Sequence, residues 1–133
     1  MKLFTVESAN RTLPLVRKIV ADIVRVYATW EERVQELEVL NAGARSEETD
    51  ARTVALEREI AGLAADVQGC LRELKELGVE FKGYDTGLVD FPSEMGDRRV
   101  YLCWRLGEPA VAHWHEIDAG FAGRQPLAPA EVS

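Results

Sequence analysis

The sequence predicts an α+β fold in which a long antiparallel two-helix hairpin precedes a small three- to four-stranded antiparallel β-sheet. Two observations predict it. Over residues 1–78 the apolar residues recur every three or four positions, whereas over residues 79–127 they alternate with polar residues. The first spacing is typical of amphipathic helices and the second of half-buried strands. The 133 residues are expected to form a single domain, with residues 128–133 as a flexible tail.

The first helix carries apolar residues at alternating steps of four and three, which is a heptad pattern. Thr12 is the expected N-cap, and Pro14 is tolerated in the first turn, where its missing N–H costs nothing. Thr5 is expected to cap only a short preceding turn. The heptad positions are Val16, Val20, Ile23, Tyr27, Trp30, Val34 and Leu37.

The second helix repeats the same spacing after a break around Gly43. Ser46 is the expected N-cap, and Gly78 is the residue at which a left-handed C-terminal cap is expected. Its heptad positions are Leu56, Ile60, Leu63, Val67, Cys70, Leu74 and Leu77. A lone coiled-coil-like hairpin leaves apolar surface open. We therefore expect the C-terminal region to cover one end and a homodimer to pair two hairpins into a four-helix bundle.

The alternating pattern after Gly78 predicts short strands separated by turns at 85–87, 93–98 and 107–109. It also sorts the side chains onto two faces of the sheet. The face expected to pack on the helices carries Val100, Leu102, Trp104 and Trp114. The other, polar face is expected to present Asp90, Tyr101, Cys103, Arg105, His113 and His115. Because opposed side chains of adjacent strands lie about 5 Å apart, a cluster of one carboxylate, one thiol, one guanidinium and two imidazoles is geometrically possible there.

A metal site is one interpretation of the polar face. His113 and His115 are two residues apart on a strand, so both imidazoles point the same way and reach one cation. Cys103, Asp90, Glu116 or Asp118 would complete a site for a divalent ion such as Zn, Fe or Mn. The alternative is a pair of exposed or hydrogen-bonded histidines beside a tryptophan.

Other residues of this region suggest ligand binding or catalysis. Cys103 would act as a nucleophile if Arg105 or His115 lowered its pKa, or it is a small half-buried residue. Arg124, beside the glycines of a G-x-x-G sequence, would hold an anionic ligand or a carboxylate across a dimer interface, or pair with Asp118 or Glu116. The candidate ligand-binding residues are Arg105, Glu108, Trp114 and Arg124.

The net charge of −7 opposes binding to nucleic acid or to an anionic membrane. No secretion signal is recognised, and charged residues interrupt the longest apolar stretch, Leu13–Val26. We therefore expect a cytoplasmic protein in which Cys70 and Cys103 are reduced thiols.

Several segments resemble one bacterial family, the domain of unknown function 2203 (DUF2203). They are FTVESANRTLPLVRKIV at the start and, later, LVDFP, VYLCWRLGE, WHE and AGFAGRQPL. The resemblance implies a small cytoplasmic bacterial protein and assigns no activity. It adds weight to the residues at the family's motif positions, which are Asp90, Cys103, Trp104, Arg105, Glu108, Trp114, His115, Gly120, Phe121, Gly123 and Arg124. His113 falls where the family often has an aromatic residue, which favours His115 as the ligand.

Two functional hypotheses follow. In the first, the protein is a dimerising interaction or structural module that presents the polar face of the sheet to a partner. In the second, it binds a metal or a small ligand around His115, Cys103, Asp90 and Glu116, and whether it is an enzyme stays open. The sequence contains no catalytic signature that decides between them.

Overall fold

A computed structural model describes residues 2–128 of the chain. It confirms the predicted α+β architecture of a helical hairpin followed by an antiparallel sheet, and it places five strands in the order β1-β2-β3-β4-β5. The elements are α1 (Val6–Ala42), α2 (Glu47–Leu77), β1 (Glu80–Gly83), β2 (Leu88–Met95), β3 (Arg98–Arg105), β4 (His113–Glu116), a short 3₁₀ turn (Phe121–Gly123) and β5 (Gln125–Pro126). The fifth strand was not predicted.

The first helix begins earlier than expected, and the assignment of Thr12 as its N-cap is wrong. Thr5 is the N-cap: its side chain accepts the Ser8 N–H, and the Ser8 side chain accepts the Thr5 N–H. This reciprocal capping box satisfies two backbone donors at once, so the helix starts seven residues upstream of the expected site. Thr12 lies inside the helix, where its hydroxyl donates to the Ser8 carbonyl at 2.9 Å.

The second helix has both of its predicted ends. Ser46 forms a capping box with Thr49. At the other end Gly78 has a φ of 86°, and the Val79 N–H donates to the Leu74 carbonyl at 3.0 Å. The left-handed conformation of Gly78 ends the helix and turns the chain into the first strand, which begins at Glu80.

The core lies between α1 and one face of the sheet. Its buried members include Val16, Val20 and Ile23 of α1 and Val89, Phe91, Leu102 and Trp104 of the sheet. Gly87, in the turn between β1 and β2, lies against Val20 and Val24, and its φ of 69° is favoured only for glycine. This turn therefore fixes the sheet against the helix.

Towards the connection between α1 and α2, the hairpin extends beyond the main core. Ion pairs join the two helices there, between Arg33 and Glu59 at 2.9 Å and between Arg52 and Glu36 at 2.6 Å. Leu56 is fully buried between the helices, whereas Val39 is 73% exposed and Val54 is 55% exposed. This part of the hairpin thus leaves apolar side chains in solvent.

Both ends of the described chain pack against the sheet. The Phe4 N–H donates to the Pro92 carbonyl at 2.7 Å, and the Ser93 hydroxyl donates to the Phe4 carbonyl at 2.6 Å. Leu127 is buried, and its N–H donates to the Ala112 carbonyl. Residues 129–133, which form most of the predicted tail, lie outside the described residues.

Candidate functional site

The strand alternation places the candidate residues on the sheet face opposite the helices, as predicted. Asp90, Cys103 and His113 are direct cross-strand partners in one row. Tyr101 and His115 are partners in the neighbouring row. Because successive side chains of a strand alternate between faces, all five project from the same side of the sheet.

Three of these side chains form a buried cluster at the centre of that face. Asp90 is 4% exposed, Cys103 0% and His115 2%. One donor atom from each, a carboxylate oxygen, the thiol sulfur and an imidazole nitrogen, lies within 4.8 Å of the others. Of the cluster that the sequence made geometrically possible, the structure thus brings together the carboxylate, the thiol and one imidazole, in a buried position.

Asp90 and His115 meet although their strands are not neighbours. The His115 Nε2 lies 2.9 Å from Asp90 Oδ1, across the strand that carries Cys103. Strands two positions apart in a sheet are separated by about 10 Å, so both side chains must lean over the middle strand. The small side chain of Cys103 leaves room for them to meet.

The second nitrogen of the imidazole is also held in place. His115 Nδ1 lies 2.7 Å from the backbone carbonyl oxygen of Glu116. A carbonyl can only accept, so Nδ1 carries a hydrogen and donates it. The contact between Nε2 and Asp90 then contains one further hydrogen, shared between the imidazole and the carboxyl group.

Burial has a strong effect on the ionisation of the other two groups. It raises the pKa of Asp90, against the opposing influence of His115 and Lys82. Burial and the nearby Asp90 raise the pKa of the Cys103 thiol to about 12. Cys103 therefore stays protonated at neutral pH unless a cation displaces the proton.

This geometry does not activate Cys103 as a nucleophile. A thiol nucleophile needs a base within hydrogen-bonding reach, itself oriented by a third group. Here the two nitrogens of His115 are engaged by the Glu116 carbonyl and by Asp90. Cys103 is also inaccessible to a substrate in this conformation.

An ion-paired layer covers one side of the cluster. Arg124 forms a two-pronged ion pair with Glu108, and its Nη2 donates to His113 Nδ1 at 2.7 Å. Its Nη1 lies 4.0 Å from the Cys103 sulfur. Arg124 was predicted to pair with Asp118 or Glu116 if it formed an internal ion pair, and that choice of partner is wrong.

Glu108 is the anchor of this layer. Although burial raises its pKa, hydrogen bonds from Arg124 and from the Arg105 N–H, at 2.8 Å, outweigh burial and lower it overall. The Glu108 carbonyl accepts the Trp104 indole N–H at 3.0 Å. The loop that carries Glu108 is thereby fixed to both strand β3 and the C-terminal segment.

Phe121 completes this side of the cover. Its ring lies 4.7 Å from the Arg124 guanidinium carbon and 5.6 Å from that of Arg105. Such stacking of arginine on an aromatic ring is favourable. Arg105 therefore contributes to the cover from an exposed position, and it does not enter the buried cluster.

On the other side the cover consists of Tyr101, already placed on this face by the strand alternation, and of Lys82 and Glu80, which were not among the candidate residues. The Tyr101 ring lies 5.4 Å from the His115 ring, and Lys82 lies over Tyr101 at 5.7 Å. Glu80 pairs with Lys82 at 3.1 Å. Glu80 and Lys82 are two residues apart on the edge strand β1, and this alternation predicts that both lie on the polar face.

The remaining candidates lie away from the cluster. The Glu116 side chain pairs with Arg98 at 2.8 Å, and its backbone carbonyl accepts the hydrogen bond from His115 Nδ1. Trp114 packs partly on the core, with Arg98 over its ring at 5.5 Å. His113 contacts Arg124 instead of joining His115, so the structure does not bring the two histidines to one point.

The fold and this cluster define a class: small α+β proteins with a helical hairpin and a buried Asp–Cys–His centre on the sheet. Residues 2–127 match the family model described as "Uncharacterized conserved protein (DUF2203)", and the chain belongs to that family. It matches no curated protein and no solved structure at a significant level. Among residues 2–128, no helix combines the length and apolar character that a membrane span requires.

Proposed function

We propose that this protein binds one transition-metal ion, Zn²⁺ in the first place, through Asp90, Cys103 and His115. The observation that carries the proposal is the convergence of three different donor atoms within 4.8 Å of one another in a buried position. Buried acidic and imidazole groups are costly unless they pair or bind metal. A cluster that adds a cysteine to such a pair offers the donor types found in zinc sites.

The orientation of His115 supports this proposal. Histidines that bind metals usually donate their other N–H to a carbonyl or carboxylate, which fixes the ring and the tautomer. The Nδ1 contact to the Glu116 carbonyl is of this kind and leaves Nε2 to face the other donors. Replacement of the shared hydrogen by a metal ion would require little movement of the ring.

The donor set favours particular metals. One thiolate, one imidazole and one carboxylate suit Zn²⁺ or Fe²⁺ better than Mn²⁺, which prefers oxygen ligands. Three protein ligands leave one position of a tetrahedral site for water or a small ligand, as in catalytic zinc sites.

Binding is expected to release protons. With a thiol pKa of about 12, Cys103 keeps its proton at neutral pH until a metal ion takes its place on the sulfur and the proton leaves to the buffer. The hydrogen between Asp90 and His115 must also leave, so uptake of each ion is expected to release about two protons at neutral pH. This stoichiometry separates binding at the cluster from binding at surface carboxylates.

The test is titration of the apo protein with Co²⁺, whose thiolate complexes absorb in the near ultraviolet. We expect one ion per chain, a thiolate band and displacement by Zn²⁺. Cys103→Ser should abolish the band, and Asp90→Asn should weaken binding. The chain offers matched controls, because Cys70→Ser and His113→Ala change the same residue types outside the cluster and should bind as the unmodified protein does.

Calorimetry in buffers of different ionisation enthalpy measures the released protons, and circular dichroism verifies that each variant folds. Elemental analysis of untagged protein then identifies the metal it carries after purification. The proposal is wrong if the folded protein binds no Zn²⁺ or Co²⁺ at stoichiometric concentration. It is also wrong if Cys103→Ser retains the band.

A second candidate function, a dimerising module, is favoured by a different observation. Val39 and Val54 are exposed on the part of the hairpin that extends beyond the main core. Pairing two hairpins into a four-helix bundle would cover them. Sedimentation equilibrium tests this: Val39→Glu should give monomers, whereas Ile117→Glu, an equally polar change at an exposed site near the sheet, should not.

The proposal places the protein in the cytoplasm, where Cys70 and Cys103 remain reduced. Both are free thiols. Nucleic acid is not a proposed partner because the net charge of −7 opposes it.

A further inference from the structure

A cleft lies between the two helices and the turn that joins β1 to β2, away from the Asp–Cys–His cluster. Its volume is about 250 Å³, and it is lined by Tyr27, Trp30, Ala64, Val67, Gln68 and Tyr84. Three of these six residues are aromatic. They come from two distant parts of the chain, so only the tertiary structure brings them together.

The aromatic rings form a connected wall. The Tyr27 centroid lies 5.5 Å from that of Trp30 and 4.4 Å from that of Tyr84, with the rings inclined at 53° and 32°. Phe81 contacts Tyr84 edge to face, with the two ring centroids 5.0 Å apart. Tyr84 is 37% exposed, so the wall is open to solvent.

On the α2 side of the cleft one lining side chain is small. Ala64 stands there on α2, where a leucine would fill much of the space between the helices. The polar groups of the lining side chains are the Gln68 amide, the Trp30 indole N–H and the two tyrosine hydroxyls. A ligand with many hydrogen-bond donors would therefore lose more contacts with water than the cleft replaces.

Two carboxylates lie near the cleft. Burial first, and then the nearby carboxylates of Glu31 and Asp85, raise the pKa of the Tyr27 hydroxyl. Aromatic faces carry partial negative charge and attract cations, most strongly when the cation is desolvated. Clusters of aromatic rings are a known recognition element for quaternary ammonium groups.

We infer that this cleft binds an alkylated ammonium group against the aromatic wall formed by Trp30 and the stacked Tyr27 and Tyr84 rings. A trimethylammonium group has no N–H to satisfy and presents only methyl groups, which suits this lining. A primary ammonium group would keep its water and bind more weakly. The inference is independent of the metal proposal because the two sites share no residue.

The test compares choline with 3,3-dimethylbutan-1-ol, its uncharged carbon isostere, and with ethanolamine, its primary amine. Binding is followed in two-dimensional NMR by the shifts of the backbone amides of the cleft residues and, where Trp30 is present, of its indole N–H. We expect choline to bind about tenfold or more tightly than the isostere. Ethanolamine should also bind more weakly than choline.

Two variants locate the site. Trp30→Leu removes one ring and should abolish binding, whereas Trp114→Phe, a change of the same residue type on the sheet, should leave it unchanged. Ala64→Leu fills the cleft without removing any ring, so it should block choline even if Trp30→Leu folds poorly.

The inference is overturned if choline causes no shift, or if the isostere binds as tightly as choline, which would indicate a merely apolar cleft. Retained binding in a folded Ala64→Leu variant also overturns it. So does an indole shift that follows protein concentration instead of choline, because a second copy of the chain would then occupy the cleft.

Discussion

The imidazole of His115 on β4 reaches over strand β3 to Asp90 on β2, and His115 Nε2 lies 2.9 Å from Asp90 Oδ1. This contact joins two strands that share no backbone hydrogen bonds. Both groups are almost fully buried. The pair therefore links β2 to β4 across β3, whether or not a metal ion replaces the shared hydrogen.

His115→Ala should destabilise the metal-free protein by about 3 kcal/mol, because it leaves a buried carboxyl group without its partner. Asp90→Asn should cost only about 1 kcal/mol, since the amide can still donate to Nε2. Urea unfolding at pH 7 measures both. His113→Ala, which removes a half-buried histidine on the same strand, is the control. Equal losses for His113→Ala and His115→Ala would contradict this interpretation.

Cys103 should resist alkylation in the native protein. It is inaccessible, and burial together with Asp90 raises its thiol pKa to about 12. Half-buried Cys70 is the internal control and should react first with iodoacetamide at pH 8. Peptide mass spectrometry reads out both sites. Labelling of Cys103 as fast as Cys70 without unfolding would show that the cover over the cluster opens freely.

The raised pKa of Cys103 also has a consequence for stability. A group whose pKa is higher in the folded state favours folding below its unfolded pKa, and this contribution disappears as the pH rises towards the folded value. The unmodified protein should therefore lose stability from about pH 9 upwards. Cys103→Ser should lose less over this range, as urea unfolding at pH 7 and pH 10 would show. An equal loss of stability in both proteins would refute the attribution of this pH dependence to Cys103.

Glu108 should have the opposite dependence on pH. Its pKa is lowered overall because hydrogen bonds from Arg124 and Arg105 outweigh burial. It therefore favours folding above its unfolded pKa, and this contribution is lost as the pH falls through its folded value. Glu108→Gln should reduce stability at pH 7, and the difference from the unmodified protein should shrink in acid. Glu116→Gln, which affects a more exposed ion pair with Arg98, should change little.

Gly87→Ala should be far more damaging than Gly96→Ala. Both glycines have a positive φ, 69° and 67°, so both substitutions strain the backbone alike. Only at Gly87 would the new Cβ meet other atoms, with Leu106 Cβ at 2.8 Å and Val20 Cγ1 at 2.9 Å. We expect losses of about 3 kcal/mol and about 1 kcal/mol in thermal or urea unfolding. Similar losses would mean that the turn does not fix the sheet to α1.

The sequence by itself determined the helical hairpin, the antiparallel sheet and the two faces of the strands. These features depend on periodicity, which is a local property of the chain. The caps at Ser46 and Gly78 were equally readable, because each needs only neighbouring residues. The sorting of Asp90, Cys103 and His115 onto one face followed from alternation alone.

Only the tertiary structure decided which of these residues meet. The strand register places Asp90, Cys103 and His113 in one row, yet Asp90 pairs with His115 from the next row. Arg124 pairs with Glu108, although Asp118 and Glu116 are nearer in sequence. Register, ion-pair partners and burial depend on contacts between distant segments, so no local pattern encodes them. The same reason explains why the cleft of Tyr27, Trp30 and Tyr84 was not foreseen.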